Sequence, residues 1–300
     1  MHPPVFVGGI NRSGTTLMAR VLGSHSALAV PPTEFLFFAR QAEREPADRR
    51  EFECRLAEIL RWPRVREWGL GECDVLTRSR SWPATTKSLF LLPLVAYRDV
   101  LGKARVGEKS VLNELRFDVF DAWFSDYRLV QMIRHPVAAY ASAHAGRPTS
   151  LRHAIGWGRL WASSAAVAFS RALRDPTRHR LVRYEDLSGD PRATIAAVCA
   201  FVGLEPEVEA MLELSGYEAK ENSSFPASAG ATYEGAIRLS DDVDRHSSVA
   251  ARERAALALV YGSAAGALGY ELAGPRSLVV AAAVAAEWAR PRQRLGKLLG

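Results

Sequence analysis

Gly9-Ile10-Asn11-Arg12-Ser13-Gly14-Thr15-Thr16 is the stretch on which the reading of this chain turns. The apolar run before it, Val5-Phe6-Val7, reads as a short buried strand. The residues after it, Leu17-Met18-Ala19-Arg20-Val21-Leu22, read as the first turns of a helix. Strand, glycine loop and helix in that order make a cradle for a phosphate. The first N–H groups of a helix have no partner within it, and that end carries a partial positive charge.

Against the loop pattern G-x-x-x-x-G-K-[ST], both glycines and the final hydroxyl are present, but Thr15 stands where the lysine belongs. That lysine would reach the terminal phosphates of a nucleoside triphosphate. Here the positive charge sits inside the loop, on Arg12. This points to a nucleotide with less charge on its 5′ side than ATP, and away from ATP hydrolysis.

The 300 residues are 48% hydrophobic and 24% charged, an ordinary globular balance with room for a large core. Lys and Arg number 39 against 33 Asp and Glu, for a net charge of +6. The basic residues are spread rather than blocked. The excess therefore suits anion steering and solubility, and no nucleic-acid partner is expected. Cys54, Cys73 and Cys199 are odd in number and lack metal-ligand spacing, which fits a reducing compartment. No signal peptide precedes the first strand, and no apolar run reaches the ~18 residues of a membrane span. The expectation is a cytoplasmic protein.

Further along, Ser26–Val30 reads as a second strand ended by Pro31-Pro32, with Thr33 as the cap of a helix beginning at Glu34. Residues 41–104 hold helical patterns and no convincing strand, so they read as a helical insertion on the acceptor side of a site. Val106–Lys109, Tyr127–Ile133 and Arg180–Tyr184 are further strands. Helices alternate with them, one opened by Asp190 as cap and Pro191 at the first position. The fold class is α/β: three layers, a mostly parallel sheet, and a P-loop-type start. The expected division is one domain over 1–275, with a C-terminal helix and basic tail over 276–300. In that tail an apolar, alanine-rich run from Ser277 to Ala289 precedes Arg290, Arg292, Arg294 and Lys297. It is too short to cross a bilayer, and docking on the domain is favoured over membrane contact.

Ligands of such sheets lie beyond the carboxyl ends of the strands. Arg134 follows one strand end directly, and Ser142 falls two turns into the next helix. A guanidinium grips phosphate through its planar fork, and the serine can add a hydroxyl from the same side. Lys109 ends another strand. Tyr184 ends a third and has two readings, against a nucleotide or packed in the core. Trp157 and Trp161, four apart on one helix face, read as core. No carboxylate cluster resembles a Mg²⁺ site, and no metal is expected.

With the strand before it, Arg12-Ser13-Gly14-Thr15-Thr16 resembles the 5′-phosphosulfate loop of the sulfotransferases that use 3′-phosphoadenosine 5′-phosphosulfate (PAPS). It is most similar to the protein-tyrosine sulfotransferases and the bacterial enzymes with a Pro-Arg-Ser-Gly-Thr-Thr loop; Asn11 stands where those have proline. The resemblance implies that Arg12, Ser13, Gly14, Thr15 and Thr16 hold the 5′ side, and that Arg134 and Ser142 hold the 3′-phosphate. Gly107-Glu108-Lys109-Ser110 is similar to the family's strand-end lysine segment, which implies that Lys109 stabilises the transferred group. Tyr184-Glu185-Asp186-Leu187 is similar to another family segment, and Glu221–Phe225, with Ser224, to a loop that closes over the nucleotide. A general base must take the acceptor's proton. The resemblance implies Glu34, although the register from Arg12 runs one residue long; His25 is the second choice. The expected reaction moves a sulfuryl group to a hydroxyl or amine of a small-molecule or peptide acceptor and releases adenosine 3′,5′-bisphosphate (PAP). Two rivals remain: a P-loop kinase of small molecules, and a non-catalytic nucleotide-binding protein.

Overall fold

A computed structural model describes residues 2–41, 44–145, 147–214 and 248–270. Ser224 with its loop, the apolar run from Ser277 and the basic tail lie outside the described residues.

Strand β1 (Val5–Gly8) leads through residues 9–14 into helix α1 (Thr15–Gly23) and strand β2 (Leu28–Ala29). Six helices and one strand follow. They are α2 (Phe37–Arg40), α3 (Arg49–Leu60), α4 (Pro63–Arg66), α5 (Glu72–Ser79), α6 (Thr86–Val100), β3 (Arg105–Lys109) and, beyond a 3-10 turn (Asn113–Arg116), α7 (Phe117–Trp123). Then come β4 (Arg128–Ile133), α8 (Pro136–Ala143), α9 (Leu151–Arg174), β5 (His179–Arg183), α10 (Tyr184–Gly189), α11 (Pro191–Val202), α12 (Val208–Leu212) and α13 (Ala251–Ala267).

All strand pairs are parallel, and the order is β2-β3-β1-β4-β5. β1 is central, with Val7 beside Lys109 on one flank and Val130 on the other. Alternation along β1 divides the core. Val5 and Val7 join α1, α11 and α12, whereas Phe6 faces α3, α6 and α7, stacked on Phe120 at 4.2 Å. A third cluster lies under α8, α9 and α13, with Trp161 against Tyr261; Trp157 and Trp161 are both in it, as core residues. Each fully buried large apolar side chain contributes roughly 1.5–3 kcal/mol.

Caps lie where local chemistry supplies them. Asp190 accepts from the Ala193 N–H with Pro191 at the first helical position, and Ser150 accepts from the His153 N–H at the start of α9. The helix expected from Glu34 does not start there. Thr33 is turned aside, donating to the Arg64 carbonyl and accepting from the Trp68 indole. Leu36 adopts a left-handed backbone (φ 51°), and α2 begins only after it. The second strand is also shorter than expected, two residues paired with Arg105 and Val106. No helix of the described residues is long and apolar enough to cross a membrane.

Candidate active site

The loop after β1 needs its glycines for two different reasons. Gly9 has φ 136°, and a Cβ there would stand 2.4 Å from the Met132 carbonyl. Gly14 has φ 96°, and a Cβ would stand 2.7 Å from the Tyr184 ring. Between them Ser13 is buried and folds the turn back, its hydroxyl donating to the Ile10 carbonyl at 2.7 Å. Arg12 sits in the left-handed region (φ 70°), which costs a non-glycine residue roughly 1 kcal/mol or more. Gly14 is the N-cap of α1 and has no side chain to accept from the first-turn N–H groups.

Arg134 lies beyond the end of β4, 4% exposed. Its guanidinium rests over the Tyr184 ring at 4.2 Å, and its carbonyl accepts from the Trp161 indole at 3.0 Å. Tyr184 is thus a core residue on one face and a platform for Arg134 on the other. Ser142, in α8, accepts from Arg12 Nε at 2.9 Å. The two phosphate subsites expected separately, at the loop and at the strand end, are in contact.

Lys109 ends β3, and its Nζ donates to Thr16 Oγ1 at 3.3 Å and to Glu34 Oε1 at 2.9 Å. Arg64 Nη1 reaches the other carboxylate oxygen at 3.0 Å. Burial raises the Glu34 pKa, but Lys109 and then Arg64 outweigh it, and the carboxyl lies below its ordinary value. The balance is understandable: unit charges ~4 Å apart attract by about 4 kcal/mol at an effective dielectric of ~20, and here two cations share one carboxylate. Glu34 can lie there because α2 starts late. The Leu36 N–H donates to Ser110 Oγ at 2.9 Å, and Ser110 donates to the buried Glu108 at 2.5 Å. This tether joins the segment carrying Glu34 to the end of β3.

The structure therefore brings Arg12, Thr16, Glu34, Lys109, Arg134, Ser142 and Tyr184 to the carboxyl end of the sheet. His25 is not among them. It lies beyond the far end of α1, where Nδ1 accepts from the Ala27 N–H at 3.0 Å and Nε2 faces the Glu205 carbonyl at 2.8 Å. With both ring nitrogens engaged at the amino end of β2, it is removed as a candidate base. Arg64 was missed from sequence, and Ser110, quoted beside Lys109, was given no role there. Arg64 belongs to no motif; its only signal is the Trp62-Pro63 break that starts α4 beside it.

The sequence profile described as "Sulfotransferase family" matches residues 3–208. A comparison with curated proteins returns no match. Among solved structures, the fold is similar to the sulfotransferase domain from the Synechococcus PCC 7002 olefin synthase. That likeness has 20% identity and a TM-score of 0.60, covering 91% of this chain and 97% of that one. The sulfotransferase domain from the curacin biosynthetic pathway is similar at 15% identity and a TM-score of 0.55, over 91% of this chain and 99% of that one. Retinol dehydratase in a complex with retinol and PAP follows at 15% and 0.48, over 92% and 84%. Since the family profile spans well over half of the sequence, the chain belongs to the sulfotransferase family.

Proposed function

We propose that this sulfotransferase takes its sulfuryl group from PAPS and delivers it to a hydroxyl or amine of a small-molecule or peptide acceptor, with Glu34 as the base. One arrangement carries the reading: Lys109 Nζ lies within hydrogen-bond reach of both Thr16, on the phosphate loop's helix, and Glu34. Three positions far apart in sequence meet where a transferred group, its leaving oxygen and an attacking oxygen must be served together.

The donor set fits an adenosine bisphosphate. Arg12 and Arg134 offer guanidinium forks, Ser142 a hydroxyl, and α1 its uncapped first turn. Bound, PAPS supplies the sulfuryl group and a bisphosphate leaving group. The loop N–H groups of Ser13 to Thr16 and the Arg12 side chain hold the 5′ side, while Arg134 and Ser142 hold the 3′-phosphate. Lys109 shields the negative charge that builds up beside Thr16. Glu34 is ionised at neutral pH and takes the acceptor's proton on a carboxylate oxygen. Arg64 keeps that carboxylate oriented as Lys109 turns to its other task. Ser224 completes the nucleotide side in this reading. All three cysteines are free thiols, which supports a cytoplasmic location.

The test uses sulfur-labelled PAPS with pools of candidate acceptors. Label moves to an acceptor with the wild type. In Glu34→Gln, transfer falls by about 10²–10⁴ while PAP binding stays within about threefold. Wild-type transfer in that variant removes Glu34 from the chemistry.

A further inference from the structure

At Gly9 the chain leaves the sheet. The β1–β4 ladder ends at Gly8 beside Gln131, and the β1–β3 ladder ends at Val7 beside Lys109. The Gly9 N–H therefore has no strand to donate to, in a buried place where an unmet donor costs about 1–3 kcal/mol. It donates instead to Glu114 Oε2 at 2.6 Å, while the Gly9 carbonyl accepts from the Leu112 N–H at 3.1 Å. The 3-10 turn and the residue that caps it thus hold the Gly9 backbone at both its N–H and its carbonyl. Its approach is close: a Cβ at Gly8 would stand 2.7 Å from the Glu114 backbone nitrogen.

Glu114 is itself held. It is fully buried, and its other oxygen accepts from Ser164 Oγ, on α9, at 2.7 Å. Ser164 accepts from Gln131 Nε2, at 2.9 Å on the hydroxyl and 2.8 Å on the carbonyl. Gln131 Oε1 faces His179 Nε2 at 2.8 Å, at the start of β5. Burial brings the His179 pKa down to about 4, so the ring is neutral; with Nε2–H donating, Nδ1 is the bare nitrogen, and it has no partner among the described residues. Every donor and acceptor in this chain of contacts therefore has a fixed direction, and it ends on a single backbone N–H at the root of the phosphate loop.

We propose that Glu114 is a positioning residue for the phosphate loop, its carboxylate fixing the Gly9 peptide so that the N–H groups of Ser13 to Thr16 converge on a 5′-phosphate. The arrangement is costly for any other purpose. A carboxyl group that meets the Gly9 N–H and the Ser164 hydroxyl, and no cation among the described residues, is buried where an apolar side chain would pack at less expense, and burial pushes the Glu114 carboxyl above its ordinary value. The inference rests on the loop being the 5′-phosphate site, as read above.

Calorimetric titration compares two ligands, PAP and adenosine 3′-monophosphate, which lacks the 5′-phosphate. In Glu114→Leu the affinity for PAP falls by about tenfold or more, and that for the monophosphate by less than about threefold. Glu114→Gln keeps an amide oxygen for the Gly9 N–H and can donate to Ser164, so it restores PAP binding to within about threefold of wild type. If Glu114→Leu does not fold, the same pair of titrations on Ser164→Ala shows a PAP-selective loss of about threefold. Equal losses for both ligands, no loss for either, or a glutamine variant as weak as leucine overturns the positioning role alone. A wild type that does not prefer PAP to the monophosphate overturns the reading of the loop itself.

Discussion

Two carboxylates near the end of β3 are driven in opposite directions by their surroundings. Glu34 meets two cations and stays ionised. Glu108, two residues from Ser110, is buried at 1% exposure; burial pushes it up to about 7 although Ser110 and Asn113 both hydrogen-bond to it. A folded pKa above the unfolded value of 4.5 gives a contribution to stability that is full below about pH 4.5 and is lost as pH rises through 7. Glu108→Gln has no such titration. Denaturant unfolding at pH 5 and pH 8.5 is expected to show wild type losing stability relative to this variant by about 2–3 kcal/mol over that window. A pH-independent difference between the two would mean that Glu108 is ionised throughout. None of this was legible in the sequence, where Glu108 was merely the neighbour of Lys109. The environment of a strand residue is set by whichever segments cover it, here Asn113 and the Val7 carbonyl that Asn113 also binds.

Among the elements, the strand-loop-helix start was legible because its signal is local: an apolar run, two glycines at turn positions and a periodic helix. The start of α2 was not. Thr33 followed by Glu34 has the composition of a helix start, yet Trp68 and Arg64 capture the Thr33 hydroxyl and Ser110 captures the Leu36 N–H. Contacts from distant segments outweighed a local capping preference worth about 1 kcal/mol. The displacement is what frees Glu34 to reach Lys109. The loop also depends on its underside, since Gly14 lies on the Tyr184 ring that carries Arg134. Gly14→Ala is expected to push that ring away, lowering PAP affinity about tenfold and stability by about 1–3 kcal/mol. Gly189→Ala, where an added Cβ meets nothing within 4 Å, is the control and should change stability by less than about 1 kcal/mol. Titration calorimetry and denaturant melts read both variants; a loop indifferent to Gly14→Ala would mean that the ring has room to move.

For the whole molecule, the strand order explains why motifs scattered over the chain share one site. With β1 central, the ends of β3 and β4 flank the loop that follows it, so Lys109 and Arg134 arrive on either side. That convergence was readable in outline, since strands alternating with helices imply a parallel sheet with ligands at one end. The direct bond between Arg12 and Ser142 was not, because it depends on how α8 lies against the loop. The composite site predicts ligand-linked stability. PAP at about 100 times its dissociation constant should add roughly 2.7 kcal/mol, read as a rise in Tm, and ADP far less. Equal stabilisation by ADP would mean that Arg134 and Ser142 do not read the 3′-phosphate.

The central place of β1 has a further consequence, in the time of synthesis. Phe6 has no ladder partner until Glu108 has been made on one side and Leu129 on the other. At roughly 5–20 residues per second, β1 waits about 5–20 s after its own synthesis without a neighbour. An apolar strand that waits with both edges open invites wrong partners, since non-local parallel pairing closes late and slowly. The phosphate loop inherits the same delay: Glu114, which secures its first N–H, is itself held by Ser164 on α9. A loop made early is secured only once Ser164 has been made.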